Sequence, residues 1–368
     1  MFGEGGSSLD TTAMAAYNNV GTTYDYFSVK HSRDSLDNAG IVIKVGVHYG
    51  TSSNTGGWFT VPAPYTAIAL GDGNGVKFSA LPFSLDVVAH EVAHGVVQYA
   101  SGLVYTDESG QLDEGLADSF AAATEIYSDG SINSAVWKIA DEVYTPGTAN
   151  DALRYINDPY AQTSPLQHAD YYPARSFSSD LHINSGIESL AFYLLIQGGQ
   201  HPRGQTTFFV TGQGITVAEN IFYRAMEVYA TSTTNFRRMR DYTLQAATDL
   251  YGLNSAQYTA MWNAWAAVGN NWDSRVSTIS SGTSWTSASY PTISTNTHTG
   301  QLSGAAGTNF DLYLEKWNGS TWAATNWSTT SGTSTELLES WESAGTYRWR
   351  VQATSGSGAY NFYWNRPK

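Results

Sequence analysis

Apolar and polar positions along the chain change period twice. Ile41-Val-Ile-Lys-Val-Gly-Val-His-Tyr49 alternates with period two, as a strand does. The pattern up to about residue 83 is one of strands and turns. Gly71-Asp-Gly-Asn-Gly75 is turn chemistry; a phosphate loop would need a following Lys-Ser/Thr, which is absent. At Val87 the period lengthens. Val87, Val88, Val92, Val96 and Val97 predict a strongly apolar, buried helix. From Glu114 to Asn270 the pattern is largely helical. Ile215-Thr-Val-Ala-Glu-Asn-Ile-Phe-Tyr-Arg-Ala-Met and Phe236 to Leu250 place apolar residues three and four apart. A Ser/Thr-rich run from 274 to about 300 reads as a linker plus a first edge strand. Period two then returns. Phe310, Leu312 and Leu314 alternate with Asp311, Tyr313 and Glu315, and Tyr347, Trp349 and Val351 with Arg348 and Arg350. The predicted class is α+β with an added all-β sandwich. The expected divisions are a strand-rich lobe with the buried helix (1–102), a helical lobe (103–273), a linker (274–284) and the sandwich (285–368).

Composition narrows this picture. The 368 residues suffice for two or three domains with substantial cores. There is no cysteine, hence no disulfide framework and no thiol nucleophile. A net charge of −14 disfavours nucleic acid and anionic membrane as partners, and some of the acid is expected to meet bound cations. No apolar run approaches the roughly twenty residues that span a bilayer, and no signal peptide is visible. With charged and aromatic residues at 14% each, the polar-uncharged profile suits a secreted protein.

The chemistry concentrates in the buried helix, in Asp86-Val-Val-Ala-His90-Glu91-Val-Ala-His94-Gly. A spacing of four puts His90 and His94 on one helix face. Two neutral imidazoles so placed can grip one zinc ion, with Glu91 beside it as a base. Two histidines and a glutamate in an apolar helix need a partner, because unpaired buried charge is costly. Glu114, in Leu-Asp-Glu114-Gly-Leu-Ala-Asp118, would supply a third ligand and leave a position for water. That arrangement describes a hydrolase.

At these residues the chain resembles the thermolysin family of neutral zinc peptidases, the standard example of a His/His/Glu zinc site. Tyr99-Ala-Ser-Gly-Leu-Val-Tyr105-Thr-Asp-Glu-Ser-Gly, Tyr144-Thr-Pro-Gly, Leu153-Arg154, His182-Ile-Asn-Ser-Gly and Ala247-Thr-Asp-Leu-Tyr-Gly are similar to family segments, in family order, over residues 10 to 270. The resemblance implies a two-lobed fold with the zinc helix between the lobes, and a secreted, monomeric endopeptidase acting on peptides and proteins. It implies Glu91 as general base, Tyr105 and His182 as donors to the oxyanion, and Arg154 as a substrate-carbonyl ligand that buttresses the pocket. It makes Asp118 the acceptor that fixes the tautomer of His90. Phe78, Leu81, Val87, Ile139 and Leu153 match the lining of an apolar pocket, implying cleavage on the amino side of large hydrophobic residues. Trp58 belongs to the edge element that holds substrate as an added strand. Asp86, Glu125 and Asp141 match one calcium site, and Tyr144, Thr145, Thr148 and Asp151 a second. Asn309-Phe-Asp-Leu-Tyr-Leu and Ala344-Gly-Thr-Tyr-Arg-Trp-Arg-Val are similar to the prepeptidase C-terminal domain.

The chain also departs from the family. Asp113 stands where asparagine is usual. Phe177 replaces an aspartate that orients the histidine matched by His182, and Asp180 is the expected substitute. Lys138 replaces a glutamate, and lysine cannot ligate calcium, so one ion is expected at the first site instead of two. The edge element reads Thr55-Gly56-Gly57-Trp58, followed by an insertion around Val61-Pro-Ala-Pro-Tyr65. The chain is expected to begin inside the family's catalytic domain, as a processed form or a designed fragment. Two other readings are a zinc aminopeptidase, for which no amine-binding glutamate cluster is present, and a calcium-stabilised binder of matrix or glycan through Trp317, Trp322, Trp327 and Trp341. Those tryptophans are expected instead to pack the sandwich core.

Overall fold

The computed structural model describes residues 9–59, 67–161, 167–176, 180–253, 255–270, 273–293, 295–332 and 334–366. The chain divides into two units, Met1–Asn270 and Asn271–Lys368.

The first unit opens with a helix, α1 (Thr11–His31), where strands and turns were expected. Asp10 caps it, its carboxylate accepting from the amides of Thr12 (2.9 Å) and Ala13 (3.1 Å). Its buried side chains are Ala16, Thr23, Tyr26 and Phe27, a stripe too small and too polar to stand out by hydropathy. A short sheet follows in the order β1 (Val45–Gly46), β3 (Ala67–Leu70), β2 (Gly56–Phe59), with β1 parallel and β2 antiparallel to β3. Of the run Ile41–Tyr49 only two residues pair as strand, and His48 takes a left-handed φ of 58°. Gly73 and Gly75 adopt positive φ, as the glycine turn requires.

Helix α2 (Leu85–Ala100) is the predicted apolar helix, buried almost continuously from Val88 to Val97. Helix α3 (Asp107–Asp129) packs against it and is buried from Ser109 to Ile126. The hairpin of β4 (Lys138–Ile139) and β5 (Arg154–Tyr155) leads into α4 (Ser185–Gln197), which covers α3. Helices α5 (Ile215–Arg224), α6 (Phe236–Tyr251) and α7 (Ala256–Ala267) complete the helical lobe. Its core holds Phe120, Phe192, Phe222, Phe236 and Trp265, each fully buried. The fold is α+β, with α2 carried between a strand-bearing and a helical region.

The second unit is two antiparallel sheets over one core. Four strands run in the order β12 (Glu336–Glu342), β9 (Asn296–Gly304), β14 (Gly358–Trp364), β6 (Asp273–Ile279). The other sheet runs β11 (Trp322–Ser328), β10 (Asn309–Trp317), β13 (Gly345–Ser355), β7 (Ser284–Thr286), with β8 (Tyr290–Thr292) also paired to β13. The residues read as a linker are therefore partly sheet. Strand β6 pairs β14 from Asp273 opposite Trp364 to Ile279 opposite Gly358. Serine and threonine give no hydrophobic signal there, yet their backbone completes the ladder. The core tryptophans are Trp349 and Trp364, with Trp285 against them. Trp317, Trp327 and Trp341 are instead 40, 56 and 73% exposed, and Trp322 is half-buried, against expectation. The reason is strand parity. Phe310, Leu312 and Leu314 take the inward positions of β10 and Leu338 that of β12, leaving Trp317 and Trp341 on the alternate faces.

Candidate metal centre and active site

One turn of α2 separates His90 from His94, and their Nε2 atoms converge to 3.0 Å. Glu114 on α3 meets them, with Oε2 at 3.4 Å from His90 Nε2 and Oε1 at 3.6 Å from His94 Nε2. One ligand atom from each of the three lies within 4.8 Å of the others, and all three residues are buried. The backs of both rings face carboxylates. His94 Nδ1 donates to Asp113 Oδ1 at 2.8 Å. His90 Nδ1 lies 2.8 Å from Asp118 Oδ1 but off the line of a good ring N–H bond, so this contact is an ion pair before it is a hydrogen bond. Asp118 is also committed to Arg154, whose Nε and Nη2 donate to its two oxygens at 2.8 and 2.6 Å.

This donor set fits a divalent cation. With each Nδ1–H turned to a carboxylate, each Nε2 presents a lone pair, and two lone pairs 3.0 Å apart repel unless something positive lies between them. Glu114 Oε2 is buried without a hydrogen-bond partner, another acceptor aimed at the same point. Two imidazole nitrogens and a carboxylate oxygen suit zinc, which binds each at about 2.0–2.2 Å. Without a cation the site holds protons in its place. Burial opposes charge on His90, but Asp118 and Glu114 outweigh it and push its pKa up to about 10. Burial likewise opposes ionisation of Glu114, and the histidines, His94 foremost, bring it well below the carboxylate range. Cation binding would release such protons.

Glu91 lies next to His90 on α2, buried but outside the ligand set. Strand β2 passes close to it, since a Cβ on Gly56 would stand 3.1 Å from Glu91 Oε1. Tyr105 is half-exposed, and its hydroxyl donates to Glu114 Oε1. His182 lies across the site with Nε2 3.3 Å from Glu114 Oε2. Asp180 holds it, accepting from its ring Nδ1 (2.8 Å) and its backbone amide (3.1 Å). Phe177, expected to leave His182 without its family partner, lies outside the described residues, as does the insertion at Val61–Tyr65. Of the apolar pocket residues, Phe78, Leu81 and Ile139 are buried, whereas Val87 and Leu153 are half-buried. Trp58 is half-buried and donates from Nε1 to Gln98 at 2.7 Å.

A second acidic cluster sits at the start of α2. Asp86, Asp141 and Glu142 bring carboxylate oxygens within 4.8 Å of one another. Asp86 is fully buried, accepting from the Val87 amide (2.6 Å), the Ala140 amide and the Ser84 hydroxyl; Ser84 also contacts Glu142 at 2.7 Å. Sequence reasoning missed Glu142, although its position directly after Asp141 was a signal. Glu125 stands near the cluster but outside that group, with Oε2 buried and unpartnered. Burial and then mutual repulsion raise the carboxyls, Asp86 to about 7, Asp141 to about 6 and Glu125 to about 10. Lys138 acts the other way on Asp141. In the following loop the Thr145 hydroxyl donates to Asp151, and the Thr148 amide to the Thr145 carbonyl at 2.9 Å. Tyr144 packs its ring on Phe78.

The chain is similar to known proteins. Residues 1–98 match the thermolysin metallopeptidase catalytic domain, and residues 101–269 the thermolysin metallopeptidase alpha-helical domain. A bacillolysin of Bacillus cereus is 38% identical over 265 residues, covering 72% of this chain and 45% of its own length. A thermolysin of Alicyclobacillus acidocaldarius subsp. acidocaldarius is 39% identical with 72% and 46% covered. The chain thus spans a little under half the length of these curated relatives. Among solved structures, the precursor of protealysin, a metalloproteinase from Serratia proteamaculans, aligns with a TM-score of 0.61 at 27% identity, covering 73% of this chain and 82% of that one. Sequence motifs, fold and a converging His/His/Glu set agree, and the chain belongs to the thermolysin metallopeptidase family.

Proposed function

We propose that the protein is a secreted zinc endopeptidase that cuts peptide bonds on the amino side of large hydrophobic residues. The observation that carries this reading is the convergence of His90 Nε2, His94 Nε2 and Glu114, with both rings backed by carboxylates. Zinc held by these three residues supplies Lewis acidity that makes water a nucleophile near neutral pH. Glu91 takes the proton from the attacking water and later passes it to the leaving amine. Tyr105 and His182 donate to the oxygen on which negative charge develops, and Asp180 keeps His182 turned toward it. Arg154, locked by Asp118, holds the substrate carbonyl and braces the zinc side of the cleft. Val87, Leu153, Phe78, Leu81 and Ile139, which match the family's pocket lining, supply an apolar receptor for the residue after the cut, the first two half-buried and the other three buried. Strand β2, with Trp58, aligns the substrate as an added strand. The Asp86, Asp141 and Glu142 cluster, with Glu125 near it, and the Tyr144, Thr145, Thr148 and Asp151 loop would hold calcium, since both are rich in hard oxygen donors. Among the described residues no helix is long and apolar enough to cross a membrane.

Glu91→Gln tests the assignment, because it keeps shape and removes the base. Casein hydrolysis should fall by at least about a hundredfold while the protein still binds one zinc. Persistent activity in that variant would remove Glu91 from the mechanism. Mass analysis of a blocked peptide should place the new amino terminus at Leu, Phe or a similar residue.

A further inference from the structure

We propose that the outer face formed by β11, β10 and β13 in the second unit binds an uncharged, β-linked polysaccharide of the cellulose or chitin kind. The inference stands apart from the zinc reading. Two aromatic pairs mark that face. Trp317 lies opposite Trp322, and Tyr313 opposite Trp327, on neighbouring strands. Four residues along β10 separate the pairs, roughly 13 Å at about 3.3 Å per residue. A β-bulge decides what this face carries. Trp322 and Trp327 are five apart, so a regular strand would turn them to opposite sides. The register shifts between Leu314 and Glu315, which pair with Asn326 and Ala324, so Thr325 is the extra residue. That shift brings Trp327 round to the side of Trp322.

Between the pairs the sheet holds a fixed polar row. Buried Glu315 accepts from Nε of Arg348 and from Nε of Arg350, at 2.7 Å each. Each guanidinium also lies on a ring, Arg348 at 4.5 Å from the centre of Trp322 and Arg350 at 3.8 Å from that of Tyr313. Trp322 stands 5.3 Å from Trp317. The side chains are thus held in place before any ligand arrives, which lowers the ordering cost of binding. The exposed ends of the row are Trp317 and Trp327. Charge and shape select the ligand. The two arginines are balanced by Glu315 and by Asp311 on the same side of β10, so this face has no net charge with which to hold a polyanion. Each sugar of a β-linked chain presents a flat patch of C–H groups and a rim of hydroxyls. The patch stacks on an indole, whose face is electron-rich. The hydroxyls, which both donate and accept, meet guanidinium donors and carboxylate acceptors in the row between the rings.

The test is retention of the full chain on insoluble cellulose and chitin, with immobilised gelatin and heparin beside them. It compares the unaltered protein with Trp317→Ala, Trp327→Ala and Trp341→Ala. Trp341 is exposed on the other sheet and serves as the control. The unaltered protein should bind cellulose or chitin equally in low and high salt, because no charge is paired across the contact. The dissociation constant should rise about tenfold or more in Trp317→Ala and in Trp327→Ala, and stay unchanged in Trp341→Ala. Casein hydrolysis should be the same in all four proteins, so polymer binding and peptidase activity are read separately. If a variant fails to fold, cellohexaose and chitohexaose titrated into the unaltered protein decide: one of them should shield tryptophan emission from acrylamide, and shielding by neither overturns the proposal. Retention on neither polysaccharide, retention on gelatin or heparin alone, or undiminished binding by both Trp317→Ala and Trp327→Ala also overturns it.

Discussion

Arg154 and Asp118 show how much one pair of side chains governs. Both are buried, and the guanidinium grips the carboxylate through two parallel bonds. Burial alone would raise the Asp118 pKa; Arg154 foremost and His90 reverse that and hold it below the usual range. A depressed carboxylate stabilises the native state above its unfolded value of about 3.9, and that contribution is lost as pH falls through the lower folded value. Arg154→Ala should therefore cost about 3–5 kcal/mol at neutral pH, leaving an unpaired buried charge. The deficit should shrink below about pH 4, where Asp118 can accept a proton. Urea midpoints at pH 7 and pH 3 would check this; an equal loss at both would mean that the arginine acts through packing. The side chains legible in the sequence were those with fixed spacing, His90, His94 and Glu114. Asp180 as a support for His182 was also foreseeable, because it lies two residues away and turns back on the ring. Glu142 was missed: its one local signal is adjacency to Asp141, and its partners Asp86 and Ser84 come from 56 and 58 residues upstream.

At the level of elements, α3 is the organising member. It lies between α2 and α4 and carries Asp113, Glu114 and Asp118 to the site. Its approach to α4 depends on Gly115, where a Cβ would meet Glu188 Oε2 at 2.7 Å and the Ser185 carbonyl at 3.0 Å. Gly115→Ala should destabilise the protein by about 1–3 kcal/mol through overpacking, despite alanine's better helix propensity. A midpoint unchanged or raised in urea would refute that tight fit. Apolar spacing made α2 and α6 readable in advance, α2 as a strongly apolar helix buried almost all round and α6 as one that buries a regular stripe. It failed for α1, whose interior includes Gly21 and whose buried face relies on Ala16 and Thr23. It failed also for β6, where ladder pairing carries what hydropathy does not.

For the whole molecule, charge is unevenly shared. Residues 271–368 contain six basic and six acidic residues, so the net −14 resides in the first unit. Much of its cost falls at Asp86, Glu125 and Asp141, all raised above their ordinary values. A carboxyl whose folded pKa is raised binds protons in the native state, so cation-free stability falls as pH climbs past about 6 to 7. Calcium should thus raise the melting temperature more at pH 8 than at pH 5, and a calorimetric scan with and without chelator would show it. No calcium response at pH 8 would exclude these carboxyls as its ligands.

The outward tryptophans of the second unit have an optical consequence. Trp317, Trp327 and Trp341 meet solvent, whereas Trp349 and Trp364 are enclosed between the sheets. Iodide or acrylamide should therefore quench one fluorescence population and spare the other. Loss of the protected, blue-shifted emission would then report the opening of the enclosed cores, that of Trp349 and Trp364 here and that of Trp137 and Trp265 in the first unit, and the second unit's share is read from the change that Trp349→Phe removes.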